Sequence, residues 1–390
     1  MSQKIKNITK AADRIRLAVE NNEKIIIYGD SDLDGIASSV LLEEAIKNLG
    51  GSVFLVMFPD RENDGYGINL KALNVLKDEA LASPALFITV DLGIGNVKEV
   101  EIAKQNGLEV IIVDHHEILD KIPDAHIVVD PRQEGDDHHF TYLSNAGITF
   151  KLGEELLKDN MSEKLRDSFL ELAALATISD MMPQIEDNKI FIERGLRSLK
   201  NTFRPGLRAF LDILGAGEAA TMPGVGKIIS ALNAAESVDF KNDSYALLTS
   251  SSLQEARDLA GKLIAKTQQK QQKIKEITEE VERRISQKKD EPVIFEGDPA
   301  WKLLLAGSVA SIIAQRYEKP TFIFKKMETE SCGSVRSIKD GQNSVEAMKS
   351  CADLLMTFGG HPKASGFRVK NENLEKFKNC LQQHFIKHKT

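Results

Sequence analysis

The chain is poor in cysteine, tryptophan and tyrosine, with 3, 1 and 5 of them among 390 residues. Cys332, Cys351 and Cys380 form no CxxC pair, which argues against a zinc site or a disulfide framework; all three are expected to be ordinary thiols. No stretch approaches the roughly 18 uninterrupted apolar residues of a membrane span. The opening residues, MSQKIKNITKAADRI, hold no apolar signal-peptide core, so a cytoplasmic location without membrane contact is expected. Positive charge is also short: 51 Lys and Arg stand against 58 Asp and Glu, a net charge of −7. That excludes a surface coated in basic residues for gripping long duplexes, although not a local basic groove.

Hydrophobic residues at 42% and charged residues at 28% describe an ordinary globular protein, and the length suits two or three domains. From residue 24 to about 130, short Ile/Val-rich runs (KIIIYGD, SVFLVMFPD, ALFITVDLG, EVIIVDHHE, IVVDP) alternate with amphipathic helices. Continuous apolar strands, each followed by a helix, predict an α/β domain with a doubly wound parallel sheet buried on both faces. Helices dominate from 142 to about 215, and the stretch 216–251 is hard to read. Residues 252 to about 288 predict one long polar helix with a sparse apolar stripe, the kind that bridges domains. A second, smaller α/β pattern follows Pro292: strand PVIFEG, helix LLLAGSVASIIAQRY, strand TFIFKK, then SCGSVRSI, helix VEAMKSCADLLM, loop FGGHPKASG and strand FRVK. The expected division is 1–215, a helical connector 216–290, and 291–390.

In an open parallel sheet, ligands bind beyond the carboxyl ends of the strands. Four charged clusters fall at or near such ends: Asp30-x-Asp32-x-Asp34, Asp91, Asp114-His115-His116 and Asp180. Any one aspartate could simply cap a helix. An EF-hand reading of DxDxDG fails, because position 12 of such a loop is Leu41 and a strand precedes it. Together, so many converging carboxylates would repel one another and shift upward in pKa unless divalent cations joined them. Oxygen ligands with one or two imidazoles suit Mn²⁺ or Mg²⁺ better than zinc.

These clusters, in this order, resemble the DHH phosphoesterase superfamily, and "SCGSVRSI" with "FGGHPKASG" resembles its DHHA1 substrate-binding domain. "FPDRENDGYGIN", "NAGITFKL", "ALATISDMMP" and "NTFRPGLRAFL" are similar to segments of the RecJ branch, single-strand exonucleases. The resemblance implies two Mn²⁺ or Mg²⁺ ions held by Asp30, Asp32, Asp34, Asp91, His115 and Asp180, with Asp91 bridging. It implies that His116 faces the scissile phosphate and that Asp114 orients its neighbours. Hydroxide generated between ions ~3.5–4 Å apart would attack phosphorus in line. Ser334, Arg336, Gly359, Gly360 and His361 would hold a terminal phosphate or the nucleotide backbone. Tyr66 could stack on a base or merely fill a turn, and Arg61 could contact phosphate or pair with an acid. His138-His139 read as an adventitious acidic loop, and Lys270, Lys273 and Lys275 as a solvated face.

The chain departs from the RecJ pattern in three places. "SALNAAES" keeps Asn233 and Ala234 but has Ala231 and Ser237 where relatives carry arginines. "WKLLLAGSVAS" replaces the usual His-x-Gly segment, and the sequence ends at Thr390, where bacterial RecJ proteins usually continue into an OB-fold. The leading expectation is an exonuclease on single-stranded nucleic acid, 5′ to 3′ on DNA, releasing 5′-mononucleotides. The weakened grip leaves a second reading open, cleavage of oligoribonucleotides of two to five residues or of linear and cyclic dinucleotides. A single-strand binding protein or helicase could supply the missing grip. An inactive nucleic-acid-binding scaffold is the third reading, and the presence of every expected ligand opposes it.

Overall fold

The computed structural model describes residues 4–80, 85–118, 121–219, 221–339 and 341–387. Its contacts divide the chain into two compact units, Met1–Thr267 and Gln268–Thr390, so the division falls inside the long helix, between the expected boundaries near 215 and 290.

The first unit begins α1 (Ile8–Glu20), β1 (Lys24–Gly29), α2 (Leu33–Asn48), β2 (Leu55–Met57), α3 (Leu70–Ala80), β3 (Ala85–Val90), α4 (Val97–Gln105), β4 (Leu108–Val113) and β5 (Ile127–Val129). All neighbouring strand pairs are parallel, in the order β2-β1-β3-β4-β5. Strand periodicity explains why the runs are apolar throughout. Ile25, Ile27, Leu86, Ile88, Val90, Ile111 and Val113 pack into one core with α1, α2 and the later helices. The alternate residues Ile26, Tyr28, Phe87, Val110 and Ile112 pack into a second core with Leu73 and Leu76 of α3 and Val100 of α4. A sheet covered on both faces needs apolar residues at every position, and the doubly wound expectation is met.

Helices α5 (Asn145–Leu157), α6 (Glu163–Ser179), α7 (Glu186–Leu199), α8 (Pro205–Leu214), α9 (Ala216–Ala219) and α10 (Met222–Leu232) follow. The two-residue strands β6 (Ser237–Val238) and β7 (Lys241–Asn242) form a hairpin, ahead of α11 (Asp243–Thr249) and the long α12 (Leu253–Ser286). The first core reaches as far as Val225, Ile228, Leu247 and Leu263, so the stretch that resisted reading shares its interior with the sheet.

The second unit contains β8 (Ile294–Asp298), α13 (Leu303–Tyr317), β9 (Thr321–Lys326), β10 (Glu330–Arg336), α14 (Ser344–Lys349), β11 (Leu355–His361), β12 (Ala364–Lys370) and α15 (Leu374–Lys387). Its sheet runs β11-β12-β10-β9-β8 and is antiparallel except for β8–β9. One face buries an aromatic group of Phe295, Phe322, Phe324, Phe367 and Phe377. The other packs Ile323 against Val309 and Ile313 of α13 and Val281 of α12.

Three expectations change here. The helix expected over VEAMKSCADLLM stops at Lys349, and Leu355 already opens a strand. Phe358 packs beside the aromatic core there and pairs with Phe367 across the ladder, so tertiary pairing outweighs helix propensity. The FGGH "loop" is the end of that strand, and Pro362-Lys363 turn the hairpin into β12. Cys351 and Cys380 are not separate thiols but a disulfide joining the segment after α14 to α15; only Cys332 remains a thiol. Contact between those two segments brings the cysteines together, and their spacing gave no sign of it. Among the described residues, no helix is long and apolar enough to cross a membrane.

Helices α6 and α7 lie so close that a Cβ at Gly195 would collide with the Leu170 carbonyl and sit 2.6 Å from the Ala174 Cβ. Helix propensity alone makes Gly195→Ala stabilising by about 1 kcal/mol. The collision reverses the sign, and a loss of about 1–3 kcal/mol is expected. A urea unfolding midpoint equal to or above the parent's would refute the close approach.

Candidate metal centre

The chain crosses from β1 outward to β2 and then back to β3, so the strand order reverses between β1 and β3, where such sheets bind ligands. The ladder continues one residue past each strand. Asp30 N–H donates to Val90 O (3.2 Å), Asp91 N–H to Val113 O (3.0 Å) and Asp114 N–H to Val129 O (3.0 Å). Backbone pairing thus fixes three aspartates along one edge of the sheet. Asp91 does so at φ 64°, a left-handed conformation uncommon for a residue with a Cβ.

Helix α2 supplies the next two carboxylates. Asp32 caps it, accepting from Gly35 N–H (3.2 Å). Gly35 has to be glycine, since a Cβ there would lie 2.6 Å from the Asp30 amide nitrogen. Asp34, in the first turn, accepts from Asn145 N–H and Ala146 N–H, both at 2.7 Å, at the start of α5. That helix terminus favours the anion, yet burial, with the charge of Asp180 second, still holds the Asp34 carboxyl well above its ordinary pKa. Burial, then the charge of Asp34, does the same to Asp91. Asp180, at the C-cap of α6, is pushed up to about 6 by burial and the charge of Asp32.

Arg61 forks onto the first cluster: Nε donates to Asp30 Oδ1 (2.7 Å) and Nη2 to Asp32 Oδ2 (2.8 Å). Of the two readings of Arg61, pairing with acids is the one observed. Burial raises both carboxyls, and the guanidinium opposes it. At Asp30 burial wins and the pKa is raised; at Asp32 the arginine wins and it is lowered. Tyr66, 75% exposed, lies with its ring 5.0 Å from the Arg61 guanidinium carbon.

His115 and His116 serve differently. His115 is buried, and its Nδ1 donates to the Leu143 carbonyl (3.0 Å), which leaves the Nε2 lone pair pointing at Asp91 Oδ1, 3.1 Å away. Burial, helped by the charge of His116, brings its pKa down to about 4, so the ring is neutral. Asp34 Oδ2 and Asp180 Oδ2 each lie 3.8 Å from the same nitrogen. His116 instead hydrogen-bonds through Nδ1 to Asp114 Oδ1 (2.7 Å). Burial would depress His116, but the hydrogen bond and charge of Asp114 outweigh it and raise the pKa to about 9. Asp114 also accepts from Ile94 N–H (2.9 Å) and His115 N–H (2.8 Å), so it holds its neighbours in place.

The ligand atoms gather in three overlapping groups, each within 4.8 Å: Asp30–Asp32–Asp91, Asp34–His115–Asp180 and Asp91–His115–His116. Asp91 Oδ1, His115 Nε2 and Asp180 Oδ2 are buried, and no hydrogen bond reaches them. Three facing acceptors with no donor between them are costly to bury. A divalent cation removes that cost, and the oxygen-rich set with a neutral imidazole fits Mn²⁺ or Mg²⁺.

Two residues the sequence pattern did not assign to the site shape it. Asn145, in the amide orientation that satisfies both ends, accepts from Asp91 N–H (2.8 Å) and donates to Val113 O (3.0 Å). Asn233 accepts from Leu33 N–H (2.9 Å) and donates to Ser179 Oγ (2.8 Å). Asn145 stands in a segment similar to RecJ, and Asn233 is kept in one that otherwise departs from it, but nothing in an asparagine's position along the chain announces such a partner.

The remaining candidates belong to the second unit or elsewhere. Ser334 and Arg336 lie on β10 beside Gly307 of α13, whose Cβ would stand 3.1 Å from Arg336 Nη2 and 3.5 Å from Ser334 Oγ. Gly360 takes φ +122° and has the Ser365 Cα 2.7 Å from where its Cβ would be, whereas a Cβ at Gly359 would meet nothing. Only Gly360 therefore needs to be glycine for close approach. His361 ends β11, and its side chain lies outside the described residues. His138 is buried with Nδ1 against Phe140 O (2.8 Å) and joins none of the three groups. Lys273 and Lys275 pair with Glu276 and Glu279 on the exposed side of α12.

Fold and acidic edge together define the DHH class. The family described as "DHH family, N-terminal domain" matches residues 24–177, and "DHHA1 domain" matches residues 290–387. The single-stranded-DNA-specific exonuclease RecJ of Bacillus subtilis is 34% identical over 97% of this chain. That of Salmonella typhimurium is 30% identical over 96%. The chain spans 48% of the first relative and 68% of the second. Among solved structures, exonuclease RecJ bound to manganese superposes with a TM-score of 0.80 at 26% identity, covering 99% of this chain and 96% of that one. RecJ from Thermus thermophilus in complex with Mn²⁺ gives 0.81 at 26% identity, covering 99% and 56%. The chain belongs to the RecJ family.

In metal-free protein, His116 is expected to titrate near pH 9. Because that pKa lies above the unfolded value, the stability contributed by the His116–Asp114 pair is full below about pH 6.5 and lost as pH rises through 9. Asp114→Asn should return the imidazole toward its ordinary range in an NMR titration. An unmoved His116 would show that Asp114 does not set its charge.

Proposed function

We propose that this chain is a metal-dependent phosphodiesterase acting as a RecJ-like exonuclease, degrading single-stranded DNA from the 5′ end to 5′-mononucleotides. The observation that carries the reading is the buried meeting of Asp34, Asp91, His115 and Asp180, with three acceptor atoms facing one another and no donor between them. Asp30, Asp32, Asp34, Asp91, His115 and Asp180 would hold two Mn²⁺ or Mg²⁺ ions, with Asp91 between them. When bound, such ions lower the pKa of a water toward neutrality and offset charge on phosphoryl oxygens.

The chain's own groups do the rest. His116, kept protonated by Asp114, presents a cationic N–H to a phosphate oxygen as negative charge builds there. Asp114 aims both imidazoles through its hydrogen bonds to the backbone after β4. In the second unit, Ser334, Arg336, Gly360 and His361 would take a terminal phosphate or the strand's backbone, with Gly359 leaving open space beside them. Ala231 and Ser237 are uncharged, so neither offers the cation that a long strand's phosphates would meet. That favours a second reading, turnover confined to strands of two to five nucleotides. On the leading reading the enzyme works in the cytoplasm. A single-strand binding protein or helicase would deliver its substrate.

The test is a ladder of 5′-labelled single strands, from two to about forty nucleotides, as DNA and RNA with Mn²⁺. Labelled mononucleotide released from the long DNA strands is the expected result; products from the shortest strands alone would transfer the assignment to the second reading. Asp91→Ala should reduce the rate by more than the roughly 10–100-fold that an outer partner costs. Chelation by EDTA should abolish activity, and Mn²⁺ should restore it.

A further inference from the structure

Asp34 and Asp180 face each other across His115 Nε2, each 3.8 Å from it, yet they come from opposite ends of two different helices. Asp34 sits in the first turn of α2, and Asp180 caps the C-terminus of α6. Both are carboxylates, and like charges held this close repel. Something has to fix the gap between the two walls before a cation arrives. One neutral side chain touches both helix ends. Asn233 Oδ1 accepts the N–H of Leu33, which lies between Asp32 and Asp34 and has no partner within its own helix. Its Nδ2 donates to the hydroxyl of Ser179, the residue before Asp180.

Asn233 is itself held firmly. It caps α10 with its N–H on Ile229 O (2.9 Å), and the preceding carbonyl, Leu232 O, accepts from the buried Ser244 hydroxyl (2.6 Å). Helix α10 packs on α6, and Val225, Ile228 and Leu232 anchor it in the core beneath. The tie therefore transmits the position of a rigid helix to both carboxylate walls, and being uncharged it adds no further charge to the site.

We propose that Asn233 is a positioning residue for the metal centre: it sets the separation of the Asp32–Asp34 turn from Asp180, and hence the affinity for the cation between them. This rests on reading the acidic edge as a metal site. The role is specific, because it predicts a change in metal affinity without a matching change in fold stability.

The test is calorimetric titration of the full chain with Mn²⁺ alone, beside melting of the metal-free protein. Asn233→Ala should weaken Mn²⁺ binding about 10–100-fold, the usual effect of losing an outer partner, with little change in metal-free Tm. Ser179→Ala, which leaves the Leu33 bond in place, should weaken it less. Wild-type affinity in Asn233→Ala, or a fall in Tm with affinity intact, would overturn the proposal. Should Asn233→Ala not fold, Ser179→Ala decides alone: weaker binding supports the tie, and unchanged binding refutes it. A parent chain that takes up no Mn²⁺ would overturn the metal centre itself, an outcome distinct from a parent that binds and a variant that binds equally.

Discussion

Carboxylates are buried at the edge of a parallel sheet, where they cannot all be charged without a cation, and the rest of the first unit is arranged around that constraint. Asp30, Asp91 and Asp114 are fixed there by the same backbone ladder that builds the sheet, each amide bonded to the last residue of the next strand. The fold thus imposes the repulsion, and the surrounding parts manage it. Arg61 neutralises the Asp30–Asp32 side, the start of α5 receives Asp34, and Asp114 is taken up by backbone amides and His116. The middle is left uncompensated, where Asp91, His115 and Asp180 present lone pairs to one another.

That division of labour explains why the helical part of the first unit is more than packing. Asn145 and Ser144 open α5 and bind the Asp91–Val113 edge and Thr177 of α6, while Asn233 at the end of α10 reaches the start of α2. The centre is assembled from the sheet and from helices whose termini converge on it. Helix ends carry the unpaired backbone groups and partial charges that such a site can use. Core continuity from Ile25 to Leu263 keeps those ends in register.

The second unit is built on another plan. Its antiparallel sheet has an aromatic core on one face, and the hairpin that carries the GGH triplet depends on a single glycine with backbone too close for a side chain. Ser334 and Arg336 project from a strand rather than a loop, so their placement is as rigid as the sheet.

Periodic and local features were legible along the chain. Unbroken apolar runs meant strands buried on both faces, because residues pointing to alternate sides leave no polar position when both sides are covered. Aspartates directly after those runs had to lie at the sheet's carboxyl edge, which made Asp30, Asp91 and Asp114 legible as neighbours. Whatever depended on partners distant in the chain was settled by packing instead. The pairing of Leu355–His361 as a strand, the joining of Cys351 to Cys380, and the reach of Asn145 and Asn233 into the centre all arise from such contacts, the longest spanning 200 residues. Local propensity and spacing carry no record of them. An asparagine amide or a thiol looks the same along the chain whatever packing later places opposite it.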